Sequence, residues 1–255
     1  MTTKDNVLTR DWDDYWSSEC HNIDRGMQCN LDSHQGKVTF GLLDKSKAGK
    51  MVLEAGCGLG NWIFLFEKRG FKPVGIDLSL SSLKIASEYG RRNRLKANLS
   101  LADVRKLPFK DNTFDAIVSY GVIEHFPDSG AAVKEFHRVL KPSGACLITT
   151  PNPFSFHRLI GRHILNITKS RKLGYVGYEN AFTPAGLTRL LKDSGFTKTE
   201  NGILSDGMGT LFGVFWPGIP VIGKGLHRLF SKIAAFIENR QNVVGGGSYA
   251  IGYKE

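Results

Sequence analysis

From Met51 onward the chain alternates short apolar runs with stretches of helical spacing. Met51–Ala55 predicts a buried strand and Gly60–Arg69 a helix. Lys72–Asp77 follows as a strand, Leu80–Arg94 as a helix and Asn98–Ala102 as a third strand. Thr113–Tyr120 (TFDAIVSY) is a fourth strand, Ala131–Leu140 a helix stopped by Pro142, and Ala145–Thr150 a fifth strand. Thr183-Pro184 opens another helix, with Thr as N-cap and Pro where its missing N–H costs nothing. That helix ends near Gly195; Phe196–Leu204 and Ser248–Tyr253 are further strands. Strands alternating with helices at this rhythm imply an α/β fold, a parallel sheet covered on both faces.

Three segments stand outside the rhythm. The first fifty residues read as helical, with Trp12, Tyr15 and Trp16 on adjacent turns. Phe154–Asn180 carries Arg158, Arg162, Lys169, Arg171 and Lys172 before its first acid, Glu179. In Gly207–Ile237, Ile222, Leu226, Leu229, Phe230, Ile233 and Ile237 follow helical spacing, while Lys224, Arg228 and Lys232 form a basic stripe. Substrate choice is expected in these outlying pieces.

Charge sharpens this picture. Lys and Arg number 34 against 24 Asp and Glu, a net +10, and residues 155–202 alone carry eight bases and three acids. Such a surface attracts anions: nucleic acid, acidic headgroups or phosphorylated molecules. The start, MTTKDNVLTRDWDDYW, has no apolar core behind a basic cap, so a cytoplasmic location is expected. The most apolar run, Gly207–Gly223, is broken by Pro217, Pro220 and glycines, which disfavours a spanning helix. Cys20, Cys29, Cys57 and Cys146 form no CxxC pair and read as free thiols; Cys20, His21, Cys29 and His34 fit no zinc spacing, and no metal site is expected.

Val52-Leu53-Glu54-Ala55-Gly56-Cys57-Gly58-Leu59-Gly60 is a strand entering a glycine-rich turn and then a helix. Glycines let the backbone approach a ligand closely, and a helix N-terminus offers unpaired N–H groups. A generic tight turn would use the same residues. Asp77, however, ends the next strand 21 residues after Gly56, where a carboxylate can accept from both ribose hydroxyls of an adenosine-type cofactor. Asn61 breaks the Gly-x-Gly-x-x-Gly fingerprint begun at Gly56, disfavouring a pyrophosphate cofactor.

With GIDLS (75–79), ADVRKLPF (102–109), FDAIVSYGVIEHF (114–126) and HRVLKPSGACLITTPNP (137–153), this motif resembles those of class I S-adenosylmethionine-dependent methyltransferases, above all the small-molecule type 11 group. The resemblance is dense over about residues 50–152. It implies a Rossmann-like, doubly wound, seven-stranded sheet with its last strand antiparallel. It divides one domain into an N-terminal helical lid (1–50), a cofactor-binding core (51–153), substrate-side insertions (154–181 and 205–243) and the rest of the core (182–204 and 244–255).

Residue by residue, the resemblance implies that Glu54 and the backbone of Gly56, Cys57 and Gly58 hold the cofactor's amino-acid end. Asp77 would bind the ribose and Leu78 pack on the adenine. Asp103 would accept from the adenine amino group, with the Val104 N–H at a ring nitrogen. Tyr120 and Gly121 would line the methionine portion. Cys57 and Cys146 read as packing residues rather than nucleophiles. His125, just after the fourth strand, is the candidate base: a histidine titrates near ~6.5, suited to taking a proton at neutral pH. The bland alternative, that His125 only shapes the pocket, stays open.

The expected activity is methyl transfer to oxygen or carbon of a small, rather apolar acceptor. A nucleic-acid methylase lacks support, because Ser119-Tyr120-Gly121-Val122 stands where the Asn/Asp-Pro-Pro-aromatic loop of base-amine methylases would be. A nicotinamide oxidoreductase is disfavoured by the glycine spacing, and a non-catalytic binding subunit by the intact acidic positions. Gly207–Arg240 leaves two readings open: packing on the catalytic domain or a second copy, or peripheral contact with an anionic membrane.

Overall fold

The computed structural model describes residues 10–16, 22–45, 51–155, 179–204 and 246–255. Most of both expected insertions, including Tyr175, Tyr178 and the Lys224/Arg228/Lys232 stripe, lies outside the described residues, as do Cys20 and His21. Three helices come first: α1 (residues 10–16), α2 (Ile23–Asp32) and α3 (His34–Lys45). The core follows as β1 (Met51–Ala55), α4 (Asn61–Lys68), β2 (Lys72–Asp77), α5 (Leu80–Asn93), β3 (Asn98–Leu101) and β4 (Phe114–Tyr120). After β4 come a short 3-10 turn (Ile123–His125), α6 (Ser129–Val139), β5 (Leu140–Pro151), α7 (Pro184–Asp193), β6 (Lys198–Leu204) and β7 (Gly247–Tyr253).

The seven strands form one sheet in the order β3-β2-β1-β4-β5-β7-β6. β7 runs antiparallel to both its neighbours, while β1 to β5 pair in parallel. The all-parallel sheet read from the strand–helix rhythm is therefore corrected at one strand, and the seven-stranded form implied by the resemblance is the one observed.

Both faces of the sheet are covered, which is why the central strands read as continuous apolar runs. Leu53, Ile117 and Ile148 pack to one side with Phe136 of α6 and Leu187 of α7. Their alternates Val52, Ala116, Val118 and Leu147 pack to the other with Phe64 and Phe66 of α4. The helices of α2 and α3 join this second layer through Ile23, Met27, Leu42 and Leu43.

Element ends differ from expectation by a residue or two, with one larger change. Leu140 and Pro142, expected as helix end and helix stop, belong to β5, which begins where α6 ends. Leu140 is fully buried and pairs with Phe114 across a register shift, so packing at the sheet's base overrides its helical spacing. α5 is capped as its sequence dictates: the Ser79 side chain accepts from the Ser82 N–H. No helix among the described residues is long and apolar enough to cross a membrane.

Candidate active site

The strand order reverses between β1 and β4, since β2 and β3 are added on one side and β5 on the other. In an open α/β sheet such a reversal leaves a crevice beyond the carboxyl ends of the strands. A cavity of about 260 Å³ opens there. Crossing it along the sheet edge, Ala102 and Val104 follow β3, Asp77 and Leu78 close β2, Glu54, Gly56, Cys57 and Gly58 close β1, and Tyr120 and Gly121 close β4.

The glycine turn is built from left-handed backbone. Gly56, Gly58 and Gly60 have φ of 84°, 48° and 75°. A Cβ at Gly56 would also collide with Val122, and one at Gly58 would lie 2.9 Å from Trp16. Gly56→Ala is thus expected to cost about 1–3 kcal/mol of stability through strained backbone alone. A denaturant melt checks this; an unchanged midpoint would remove the case for glycine at this turn.

Asp77 is held from both sides: Oδ2 accepts the Gly58 N–H at 2.8 Å and Oδ1 the Ser79 N–H at 2.8 Å. Burial raises its carboxyl above the ordinary value despite these bonds. Each oxygen still has a lone pair for a further donor. Glu54 is 3% exposed, and burial, with Asp77 adding in the same direction, pushes its carboxyl well above the usual range. Its Oε2 is buried with no hydrogen-bond partner in the structure. The Cys57 thiol is likewise pushed well up, by burial and then by Glu54 and Asp77, which keeps it protonated and a poor nucleophile.

Tyr120 lines the cavity, stacked on Trp62 with ring centroids 4.8 Å apart. Its hydroxyl shares a 2.8 Å hydrogen bond with Thr39, tying α3 to the end of β4. His125 also lines the cavity and meets Trp12 edge-on, centroids 5.0 Å apart. Trp12 and Trp16 of α1 complete the wall with Val122 and Phe126.

Asp103 stands apart from the other expected site residues. It falls between Ala102 and Val104, which line the cavity, but is itself not among the lining residues. Its carboxylate binds Arg105, 2.7 Å from Nη2, and accepts the Arg105 backbone N–H at 2.8 Å. Arg105 in turn lies over the Phe126 ring, 4.7 Å from its centroid.

Sequence reasoning missed Asn61 and Asn30, which both line the cavity. Asn61 was visible only as the residue breaking a fingerprint; its Oδ1 is also buried without a hydrogen-bond partner. Nothing in the local pattern around Asn30 marks it. Among the described residues no group of three or more His, Cys, Asp or Glu could hold a metal ion; Cys29 is exposed and Cys57 and Cys146 are buried.

The family model described as "Methyltransferase domain", type 11, matches residues 53–148. Over those residues the chain carries a type 11 methyltransferase domain. A ubiquinone biosynthesis O-methyltransferase from Psychrobacter arcticus is 29% identical over 187 residues, 70% of either chain. A probable S-adenosylmethionine-dependent methyltransferase from Mycolicibacterium smegmatis is 35% identical over 63% of this chain and 57% of that relative, somewhat over half its length. Geranyl diphosphate C-methyltransferase from Streptomyces coelicolor, solved with Mg2+, geranyl diphosphate and S-adenosylhomocysteine, superposes with a TM-score of 0.61 at 15% identity, covering 96% of both chains. That likeness is one of fold.

The cofactor of this methyltransferase is S-adenosylmethionine. The residues present suit it. The buried, unpartnered Glu54 Oε2 is an acceptor awaiting a donor, and an ammonium supplies one. Asp77 retains acceptor capacity beside a glycine turn that leaves the backbone bare.

Proposed function

We propose that the cavity at the β1–β4 reversal binds S-adenosylmethionine and delivers its methyl group to oxygen or carbon of a small, largely apolar acceptor. The observation that carries this reading is one cavity that joins a buried carboxylate, Glu54, and a half-buried one, Asp77, to an aromatic wall bearing a histidine. Glu54 and the turn from Gly56 to Gly58 would hold the amino-acid end, Asp77 the ribose, and Leu78 and Val104 the adenine. Tyr120 and Gly121 would border the methionine chain. Asp103 would reach the adenine amino group only with Arg105 already on its carboxylate.

When bound, S-adenosylmethionine supplies an electrophilic methyl group whose departure leaves a neutral thioether. The chain's own task is then to align the acceptor and exclude water, which together provide most of the acceleration. Trp12, Trp16, Val122 and Phe126 offer an apolar wall for that purpose. His125 would take the proton of a hydroxyl acceptor as the new bond forms. The O-methyltransferase named among the relatives supports an oxygen acceptor, and the superposed C-methyltransferase keeps carbon in view.

Calorimetry with S-adenosylhomocysteine tests the donor half. Wild-type protein is expected to bind, and Asp77→Ala to lose about 1.5–3 kcal/mol of affinity, the worth of hydrogen bonds to a charged group. A folded Asp77→Ala variant with unchanged affinity would remove the ribose role. Incubating the protein with S-adenosylmethionine and a metabolite extract, then seeking products heavier by one methyl group, tests the acceptor half. Products methylated only on nitrogen would overturn it.

A further inference from the structure

α1 reaches two parts of the cavity and the start of α5 at once. Trp12 packs edge-on against His125, with ring centroids 5.0 Å apart. Trp16, stacked on Trp12 at 6.4 Å and 24°, reaches over the glycine turn to within 2.9 Å of where a Gly58 Cβ would stand. Between them Asp13 points to the start of α5. Its Oδ1 accepts from the Ser79 hydroxyl at 2.6 Å and from the Ser81 N–H at 3.0 Å. Ser79 is also the residue whose N–H holds Asp77 Oδ1. One serine therefore joins the N-terminal helix to the carboxylate assigned to the ribose.

We propose that Asp13 is a positioning residue, a latch that pins α1 across the cavity and so seats Trp12 against His125 and Trp16 over the glycine turn. The inference rests on the cavity being the S-adenosylmethionine site. It adds to that reading a residue outside the sheet that governs how long the donor and its product stay bound. A carboxylate suits the position: α5 presents N–H groups and the positive end of its dipole at this terminus. Burial opposes the Asp13 charge, but the hydrogen bonds from Ser79, Ser81 and Leu80 outweigh it and hold the carboxyl below its ordinary value. Asp13 and Asp77 repel one another, and four donors offset this: the Ser79 hydroxyl and Ser81 N–H on Asp13, and the Gly58 and Ser79 N–H groups on Asp77. Releasing Asp13 removes two hydrogen bonds that tie α1 to the start of α5, and the roof of the cavity is freer to lift.

The test follows the dissociation of S-adenosylhomocysteine by tryptophan fluorescence in stopped flow, with thermal melts of the same samples. Asp13→Ala is expected to release the product about tenfold faster, one charged hydrogen bond's worth of hold, with its melting temperature close to wild type. Asp13→Asn should fall between, because its amide oxygen still accepts from Ser79 and Ser81. Asp14→Ala, altering an exposed neighbour on the same helix, should match wild type. A general loss of stability would shift the melt without this order of rates. Acrylamide quenching of wild type needs no variant: S-adenosylhomocysteine is expected to shield the tryptophans, and unchanged quenching in a protein that binds it overturns the latch. Asp13→Ala releasing product at the wild-type rate also overturns it. If wild type itself binds no S-adenosylhomocysteine, the cofactor assignment falls, and the latch with it.

Discussion

Replacing His125 by alanine is expected to lower the maximal methyl-transfer rate by roughly 10²–10⁴-fold while leaving cofactor affinity nearly intact. The imidazole lines the cavity beyond β4, whereas the groups assigned to the donor's polar atoms lie on β1 and β2. Removing the ring should therefore spare binding and strike the step in which an acceptor hydroxyl loses its proton. Single-turnover rates beside S-adenosylhomocysteine affinities separate the two. A rate loss below about tenfold would make His125 a wall of the cavity, with orientation alone accounting for the rate. Trp12 offers an internal comparison, since Trp12→Leu removes the edge-on contact but leaves the imidazole in place.

Glu54→Gln is expected to weaken S-adenosylhomocysteine binding by about 10–100-fold, the value of a charge-assisted hydrogen bond of 1.5–3 kcal/mol. The accompanying proton is the sharper signature. In the free protein, burial and Asp77 hold the Glu54 carboxyl well above its usual range, with one backbone bond from Ile63 pulling the other way. The fold thus favours the protonated form: its contribution to stability is full at low pH and is lost as pH rises through the raised value. An arriving ammonium reverses the preference, because an opposite charge at close range favours the carboxylate. Binding should therefore expel a proton, and affinity should climb with pH up to the free protein's Glu54 value. Calorimetry in buffers of different ionisation enthalpy would reveal the proton. In Glu54→Gln the dependence on buffer should vanish. Heats that do not vary with buffer in wild type would deny that Glu54 meets the ammonium.

The central sheet was legible because burial on both faces stamps each strand as an apolar run. Val52 and Leu53 point to opposite layers, yet both must be apolar. The glycine turn was legible because φ of 48° to 84° at three positions leaves few residue types eligible. Asp77 and Glu54 were legible from their places at strand ends. The contacts that make a site of these parts were not. The Thr39–Tyr120 bond spans 81 residues and the Asp13–Ser79 bond 66, and neither leaves a periodic mark on the sequence. Asp103 shows the converse: its motif was plain, but the pairing with Arg105 two residues on is a matter of rotamers. The rhythm placed β6 and β7 as strands but not the antiparallel direction of β7, because a long stretch separates the two and no short-range turn signal joins them.

The two margins of the sheet have a bearing on how the protein behaves in crowded solution. β3, at one margin, is only four residues long and carries Asn98 and Ser100, both exposed. β6, at the other, is longer but bears Lys198 and Glu200, also exposed. Short length at one rim and charge at the other are the two common devices that discourage strand-to-strand recruitment of a second chain. Growth of the sheet by addition of further copies is discouraged at both ends, by brevity at the rim where Leu101 stands exposed and by charge at the other.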